Sequence, residues 1–267
     1  MMQLHPFTSA DLPFLTLLQP EGWPDIVPVY TFYNTSFFCF PIKITIANEL
    51  VGVGTTIMHK DVAWLAHIIV HTDYRNRGVG KIITKSLIDA IDTRVCKIIY
   101  LIATSLGEPI YEKIGFVTET EYLFYKDVPL TTNYISSSYI LPYNQTYYTQ
   151  IKRMDQKVSG EDRMFHFEQY LSNAYVYVAN NSVEGYYIPD FHEGLIVSNS
   201  SKAGIELMTK RFMNKDNAVF PINNIEAIAY MRIQGLEPFK IAKRMRLGEM
   251  KTVEYSKIFN RIAGSIG

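Results

Sequence analysis

One continuous stretch, residues 64–116, constrains the fold more than any other part of the sequence. An apolar run that ends at Val70 leads into Arg75-Asn76-Arg77-Gly78-Val79-Gly80, and an amphipathic segment follows at once. A second apolar run, residues 97–103, then precedes G-E-P-I-Y-E-K-I-G-F. Apolar runs of strand length that alternate with amphipathic segments predict an α/β fold, in which this turn joins a strand to the start of a helix.

The turn after Val70 has the composition of an anion-binding site. The first N–H groups of a helix have no partners within the helix, and the helix dipole adds positive potential there. Gly78 and Gly80 let a ligand approach the backbone, and Arg75 and Arg77 add charged donors. Neither Gly-x-x-x-x-Gly-Lys-Ser/Thr nor Gly-x-Gly-x-x-Gly occurs, which argues against a nucleoside triphosphatase or a Rossmann dehydrogenase. An anionic cofactor is the first hypothesis, and a purely structural turn is the alternative.

Charge and cysteine content exclude several classes of partner. Lys plus Arg and Asp plus Glu number 26 each, so neither nucleic acid nor an acidic membrane surface is an expected partner. The basic cluster 240–246 is interpreted as a solvated face. Cys39 and Cys96 stand alone in apolar runs and the histidines form no ligand motif, so we expect no metal site. No membrane span or signal peptide is recognisable, which makes a soluble, cytoplasmic protein the default.

The first half predicts a sheet flanked by helices. Leu12, Leu15 and Leu18 predict a short helix, and residues 43–47, 50–58 and 62–70 predict strands. Gly52 and Gly54 are expected to allow close backbone contact. The helix 80–91 is expected to bury Ile82, Ile83, Leu87 and Ile91. The aromatic group at residues 30–40 is interpreted as core, with the wall of an acceptor pocket as the alternative.

The second half repeats the organisation of the first. Residues 104–115 and 224–235 have equal length, follow a strand, and end in glycine. Residues 127–154 lose the periodic pattern and are interpreted as a connector. We infer a tandem repeat of one α/β unit, with domains at residues 1–130 and 154–267 and a connector at 131–153.

Two elements in this order resemble the Gcn5-related N-acetyltransferase (GNAT) superfamily. V-H-T-D-Y-R-N-R-G-V-G-K matches the family's Arg/Gln-x-x-Gly-x-Gly/Ala cofactor turn, and Y-E-K-I-G-F matches its later Tyr-x-x-x-Gly-Phe element. The resemblance is closest over residues 64–116 and extends to 4–126. It implies two GNAT-like units, each a mixed, mostly antiparallel central sheet flanked by helices, of which the second is degenerate.

The resemblance also implies a reaction: transfer of an acyl group from acetyl-CoA, or another acyl-CoA, to the amine of a small molecule or amino-acid-like acceptor by direct attack. Val70 would offer backbone hydrogen bonds to the pantetheine arm at a splay in the sheet. Tyr111 would protonate the departing thiolate, and Thr104 stands where the family often has Asn. The pyrophosphate would be surrounded by Arg75, Arg77, Gly78, Val79, Gly80 and Lys81.

Departures from the family pattern leave the general base open. Trp64 stands where some members carry a glutamate base, so a carboxylate is excluded at that position. The remaining candidates are Glu49, Asp61, His67, Glu108 or an ordered water chain. Two further interpretations of the protein also stay open, namely a non-catalytic acyl-CoA-binding or regulatory module and a nucleotide-phosphate binder without preference for CoA.

The second unit is expected to be catalytically silent. In place of the cofactor turn it has V-S-N-S-S-K-A-G-I, with one glycine and no arginine, and Met231 replaces the tyrosine. Asn224 and Ala227 are interpreted as residues that maintain the fold. The oligomeric state is not indicated by the sequence.

Overall fold

The computed structural model describes residues 1–131 and 137–267 of the chain. Its strands are β1 (Met2–Pro6), β2 (Cys39–Ile46), β3 (Glu49–His59), β4 (Val62–Val70), β5 (Ile98–Ala103), β6 (Val117–Tyr125), β7 (Ile140–Pro142), β8 (Tyr175–Ala179), β9 (Ser182–Ile188), β10 (Leu195–Ser198), β11 (Ala218–Pro221), β12 (Lys240–Gly248) and β13 (Ile258–Asn260). Its α-helices are α1 (Val27–Thr35), α2 (Val79–Asp89), α3 (Glu108–Ile114), α4 (Tyr148–Ser159), α5 (Met164–Phe167), α6 (Ser201–Arg211) and α7 (Ile225–Ile233), and short 3₁₀ segments occur between them.

The chain divides into two compact units, which we describe one at a time. The first comprises Met1–Val117, Met245–Glu249 and Gly264–Ile266, and the second comprises Thr118–Arg244, Met250–Ala263 and Gly267. The sequence-based boundaries at residues 130 and 154 stay a prediction. Part of the predicted connector, residues 132–136, lies outside the described residues.

The first unit is built on a mixed, mostly antiparallel sheet. Its strands follow the order β1-β2-β3-β4-β5, and the part of β12 from Met245 onward lies beyond β5. Neighbours from β1 to β4 are antiparallel, whereas β4 and β5 run parallel. The connection between the parallel pair contains α2, as is usual for a crossover between parallel strands.

Helix α2 packs onto β3 at two glycines. A Cβ added to Gly52 would lie 2.8 Å from Ile83 Cδ1, and one added to Gly54 would lie 2.7 Å from Ile83 Cγ2. The predicted close contact at these glycines is therefore confirmed. Ile82, which was expected in the core, is 41% exposed, so that prediction was wrong. Because Ile83 must face the glycines, the helix buries Val79, Ile83, Thr84 and Leu87 instead.

Gly54→Val should destabilise the protein by about 1–3 kcal/mol, because the larger side chain overpacks the interface between α2 and β3. Leu87 Cδ1 would also lie 3.1 Å from the new Cβ, so α2 would have to move. Urea denaturation measures the change in unfolding free energy. Gly80→Ala is the matched control, because its Cβ would meet only ordinary contacts, at 3.4 Å from Ile110 and 3.6 Å from Val70. Equal stability of the Gly54 variant and the wild type would contradict the described packing.

The N-terminal helical segments differ in part from their predictions. Thr8 and Asp11 form a capping box, but the helix that follows, Ser9–Leu18, is a 3₁₀ helix that contains Pro13. The aromatic group at residues 30–40 has both buried and exposed members. Tyr30 and Tyr33 are buried on α1, whereas Phe37 is 88% exposed. The interpretation of this group as core is thus correct only for its buried members.

The second unit contains the sheet β13-β10-β9-β8-β7 and the strands β12-β6-β11. In its core, α6 and α7 pack against neighbouring strands. The buried side chains there include Leu207, Met208, Phe220, Met231 and Phe259. Helix α4 begins inside the predicted connector, where the sequence indicated no helix. It buries Ile151, Met154 and Val158, whose i, i+3, i+7 spacing is typical of an amphipathic helix.

The basic cluster 240–246 is not a solvated face. Most of it forms β12, in which Ala242 and Met245 are buried and Arg244 is 1% exposed. Arg244 Nε lies 3.5 Å from a carboxylate oxygen of Glu119, and its Nη2 lies 3.6 Å from Glu161. The sequence-based interpretation was wrong because these carboxylates, far away in the chain, neutralise the buried guanidinium.

Candidate functional site

The turn between β4 and α2 presents backbone N–H groups at the helix start. Gly78 is the N-cap residue with φ +82°, and the first helical hydrogen bond runs from Ile82 N–H to the Gly78 carbonyl. The N–H groups of Val79, Gly80 and Lys81 precede that bond, as expected for the first turn of a helix. A Cβ on Gly78 would meet no atom within 4 Å, so the space beside the turn is open. The arrangement suits a phosphate group.

The predicted basic side chains surround the same turn. Arg75, Arg77 and Lys81 are exposed. The Arg77 guanidinium lies 5.4 Å from the centre of the Tyr74 ring, and the Tyr74 hydroxyl donates a hydrogen bond of 3.0 Å to Glu49. This hydrogen bond raises the pKa of Tyr74, so the phenol stays neutral next to the arginine. Tyr74 was not singled out from the sequence, although its position one residue before Arg75 was a usable signal.

Strands β4 and β5 separate toward the turn. Their ladder pairs Val62 with Ile98, Ala63 with Ile99 and Trp64 with Tyr100, and both strands continue beyond these pairs. Val70, at the end of β4, belongs to the separated part, and its carbonyl accepts a hydrogen bond of 3.3 Å from Arg75 Nε. The described pairing of β4 with β5 thus ends at Trp64, before Val70, and the role of Val70 at a splay stays a prediction.

Tyr111 is held by the short helix α3. Pro109 occupies the helix start and Gly115, at φ +109°, ends the helix, both as the sequence indicates. The ring of Tyr111 packs against Gly107, where an added Cβ would lie 3.1 Å from the hydroxyl oxygen, and edge-on to Phe116. Burial raises the pKa of Tyr111 to about 12. The hydroxyl is therefore protonated at neutral pH, as a proton donor must be.

Helix α3 also brings the Tyr111 segment next to the turn between β4 and α2. Gly80 lies against Ile110 and Val70, since an added Cβ would be 3.4 Å and 3.6 Å from their side chains. Thr104, half-buried at the end of β5, accepts N–H bonds of 3.0 Å from Gly107 and 2.9 Å from Glu108 through its carbonyl. The indole of Trp64 is fully buried, and its ring centre lies 5.1 Å from that of Tyr100.

The candidate bases differ in their positions. Glu49 accepts the hydrogen bond of Tyr74, Asp61 lies in the turn before β4, and Glu108 is the first residue of α3. His67 lies on the separated part of β4, at a β-bulge, and its Nδ1 is 2.8 Å from the Tyr33 hydroxyl. Among the four, only His67 lies on the separated part of β4.

The corresponding region of the second unit is closed by its own chain. Strand β13 pairs with β10, and Arg261 N–H donates to the Val219 carbonyl of β11 at 2.9 Å. The Phe259 ring lies so close to Gly204 of α6 that an added Cβ would collide with it. Ser200 caps α6 by accepting from Ala203 N–H at 3.3 Å, whereas Gly78 has no side chain to do so for α2.

Two residues of the second unit have the structural role that the sequence suggested. The Asn224 side chain accepts from Ala227 N–H at 3.0 Å and donates to the Ile258 carbonyl at 3.0 Å. Both residues are fully buried. Asn224 thus caps α7 and fixes β13, which supports the expectation that this unit is catalytically silent.

Within residues 1–131 and 137–267, no group of three or more His, Cys, Asp or Glu side chains could hold a metal ion. None of the helices in these ranges is long and apolar enough to cross a membrane. Cys39 and Cys96 are buried free thiols.

Comparison with known proteins identifies the domain. Residues 40–134 match the family model of the acetyltransferase (GNAT) domain. No curated protein sequence matches the chain. A proposed acetyltransferase of Pyrococcus horikoshii is similar to the whole chain, with a TM-score of 0.82, 22% identity, and coverage of 100% of this chain and 96% of that one.

Two further GNAT structures, one of them a tandem protein, also share the fold. A tandem GNAT protein from the clavulanic acid biosynthesis pathway has a TM-score of 0.59 at 12% identity, covering 94% of this chain and all of that one. A GCN5-related N-acetyltransferase of Sphaerobacter thermophilus has a TM-score of 0.65 at 11% identity, with coverage of 96% and 98%. At these identities the likeness establishes the fold, and it confirms the predicted α/β architecture of two GNAT-like units. Residues 40–134 are therefore similar to a GNAT acetyltransferase domain, and the chain as a whole has a fold similar to that of a tandem GNAT protein.

Proposed function

We propose that the protein transfers an acetyl group from acetyl-CoA to the amine of a small molecule or amino-acid-like acceptor. The observation that carries the proposal is the open turn at Gly78, where three helix-start N–H groups follow the exposed Arg75 and Arg77, beyond the paired part of β4 and β5. A pyrophosphate fits such a turn, because oriented N–H groups and guanidinium groups both stabilise its charge. A pantetheine arm needs unpaired strand edges of the kind that β4 offers at Val70.

The residues of the chain have separate tasks in this reaction. Arg75, Arg77, Gly78, Val79, Gly80 and Lys81 would hold the donor phosphates, Val70 would align the pantetheine arm, and Thr104 would contact the cofactor region. Bound acetyl-CoA supplies an activated thioester carbonyl. Positioning an uncharged amine against that carbonyl accelerates direct attack without an enzyme nucleophile. Tyr111, which is protonated at neutral pH, would give its proton to the thiolate.

The donor site is tested by Gly80→Val. A valine side chain would fill the space between Val70 and Ile110 beside the helix-start amides, so we expect acetyl-CoA to bind at least 100-fold more weakly. Isothermal titration calorimetry gives the affinity, and circular dichroism checks the fold. Lys85→Val, at an exposed position one turn later on the same helix, is the control and should keep wild-type affinity. Unchanged affinity of the Gly80 variant would remove the donor site from this turn.

Thiol release over a panel of amines separates the proposed enzyme from the alternatives. The enzyme releases CoA only when a suitable amine is present. A non-catalytic module, the alternative that the buried Trp64 favours, binds acetyl-CoA but releases no thiol with any amine. Equal thermal stabilisation by ATP and by CoA would instead favour a nucleotide-phosphate binder.

A further inference from the structure

The β-bulge of β4 turns one histidine toward helix α1. Pairing between β3 and β4 shifts register so that His67 and Ile68 together oppose Gly54, and His67 has φ +47°. Ile68 faces α2, since its Cγ1 would lie 3.3 Å from a Cβ on Gly54. His67 instead contacts side chains of α1 and of the loop before it. A bulge re-aims a side chain in this way, often beside an active site.

Aromatic side chains hold His67 at this position. The Tyr30 hydroxyl donates to the His67 carbonyl at 2.9 Å, and the Tyr33 hydroxyl lies 2.8 Å from Nδ1. Trp23 meets the imidazole edge-on, with ring centres 6.0 Å apart. Tyr30 and Tyr33 are buried, whereas Trp23 is 37% exposed. This bulge cluster, comprising Trp23, Tyr30, Tyr33 and His67, therefore extends from the protein core to the surface of the first unit.

The hydrogen bond between Tyr33 and His67 decides which imidazole nitrogen is basic. Burial raises the pKa of Tyr33, so Tyr33 remains a neutral phenol. A neutral phenol can either donate to Nδ1 or accept the Nδ1 proton. When Tyr33 accepts, the neutral imidazole carries its proton on Nδ1, and Nε2 is the basic nitrogen.

We propose that His67 is the base of the acetyl transfer, with Tyr33 as the positioning residue that keeps the ring proton on Nδ1. The inference rests on the proposed function. His67 lies three residues before Val70, on the part of β4 that has separated from β5. Trp64, at the position where a carboxylate base would stand, is buried against Tyr100, so that position supplies no base.

The step balances as follows. A primary alkylammonium gives one proton to Nε2 of His67, which passes it to solvent. The uncharged amine nitrogen then bonds to the thioester carbonyl carbon, the carbon–sulfur bond breaks, and the thiolate takes one proton from Tyr111. The nitrogen releases its second proton to solvent, and solvent restores the proton on Tyr111. The products are an N-acetylated acceptor and free CoA.

The first test compares two kinds of acceptor amine with the full-length protein. In His67→Gln, kcat/KM for a primary alkylamine should fall by about 10²–10⁴-fold, the usual contribution of a general base. An arylamine whose pKa lies well below the assay pH is already neutral, so its kcat/KM should fall less than tenfold. Equal losses for both amines would overturn the proposal. If His67→Gln melts at a lower temperature, Tyr33→Phe, which keeps the imidazole, provides the same comparison.

The second test needs no turnover. The ¹⁵N spectrum of the imidazole, assigned by its absence in His67→Gln, should show the neutral ring protonated on Nδ1 in the wild type. Tyr33→Phe should move the proton toward Nε2, with acetyl-CoA affinity unchanged. A wild-type ring protonated on Nε2 would overturn the proposal. Loss of acetyl-CoA binding or of all thiol release in the wild type would instead count against the proposed function, and the spectrum would still decide the tautomer.

Discussion

Tyr111→Phe should lower kcat by about 10²–10⁴-fold and leave the Kd for acetyl-CoA within a factor of about three, as expected when a general acid is lost. The hydroxyl is the only group removed, and the ring continues to pack against Gly107 and Phe116. Steady-state thiol release and calorimetric titration measure the two quantities. Tyr125→Phe, a buried tyrosine of the second unit, is the control and should keep the wild-type kcat.

The pH dependence of wild-type Tyr111 follows from its burial. Its pKa is raised to about 12 in the folded protein, from an unfolded value of about 10. The stability contributed by this group is therefore complete below about pH 10 and is lost as pH rises toward 12. On account of Tyr111 alone, kcat should not fall between pH 7 and 10. A Tyr111→Phe enzyme with wild-type kcat throughout that range would exclude Tyr111 as the proton donor.

Asp155→Ala should lower the free energy of unfolding by about 3–5 kcal/mol, because it leaves a buried arginine without its counter-charge. Asp155 and Arg163 are each 2% exposed and lie 2.9 Å apart, and the Tyr186 hydroxyl donates to the same carboxylate at 2.6 Å. Burial alone would lower the pKa of Arg163, but the Asp155 carboxylate outweighs burial and raises it. The guanidinium therefore stays charged, and its exposure on unfolding becomes favourable in the variant.

Urea denaturation of the full-length protein measures this loss. Asp92→Ala is the matched control, because Asp92 and Arg94 form an ion pair of the same length, 2.8 Å, whose side chains are 46% and 88% exposed. An exposed pair contributes at most about 1 kcal/mol, so the control should unfold almost as the wild type does. Similar losses in both variants would contradict the dependence on burial.

Local sequence signals were sufficient for the turn between β4 and α2. Gly78 and Gly115 occur where the chain needs a left-handed residue, and such needs are visible in a few neighbouring residues. The limits of β4 follow from its apolar run, and Gly115 marks the end of α3. These elements depend on interactions within a few residues, so their prediction did not require the tertiary structure.

The bulge cluster could not be predicted in the same way. Trp23, Tyr33 and His67 lie on different elements of the chain, and no spacing rule connects them. The interpretation of Arg244 as part of a solvated face was wrong for a similar reason. A charged residue in a basic run indicates exposure to solvent unless its carboxylate partners are known. Tertiary contacts also decide which side of α2 is buried, since Gly52 and Gly54 make room for Ile83 and not for Ile82.

The position of β13 also has a consequence for the order of events during synthesis. The strands β7 to β10 of the second unit end at Ser198, but their sheet obtains β13 only from residues 258–260. Until those residues leave the ribosome, β10 exposes the edge that will later pair with β13. We therefore expect nascent chains stalled before residue 258 to hold an incomplete second unit that is sensitive to protease and dependent on chaperones.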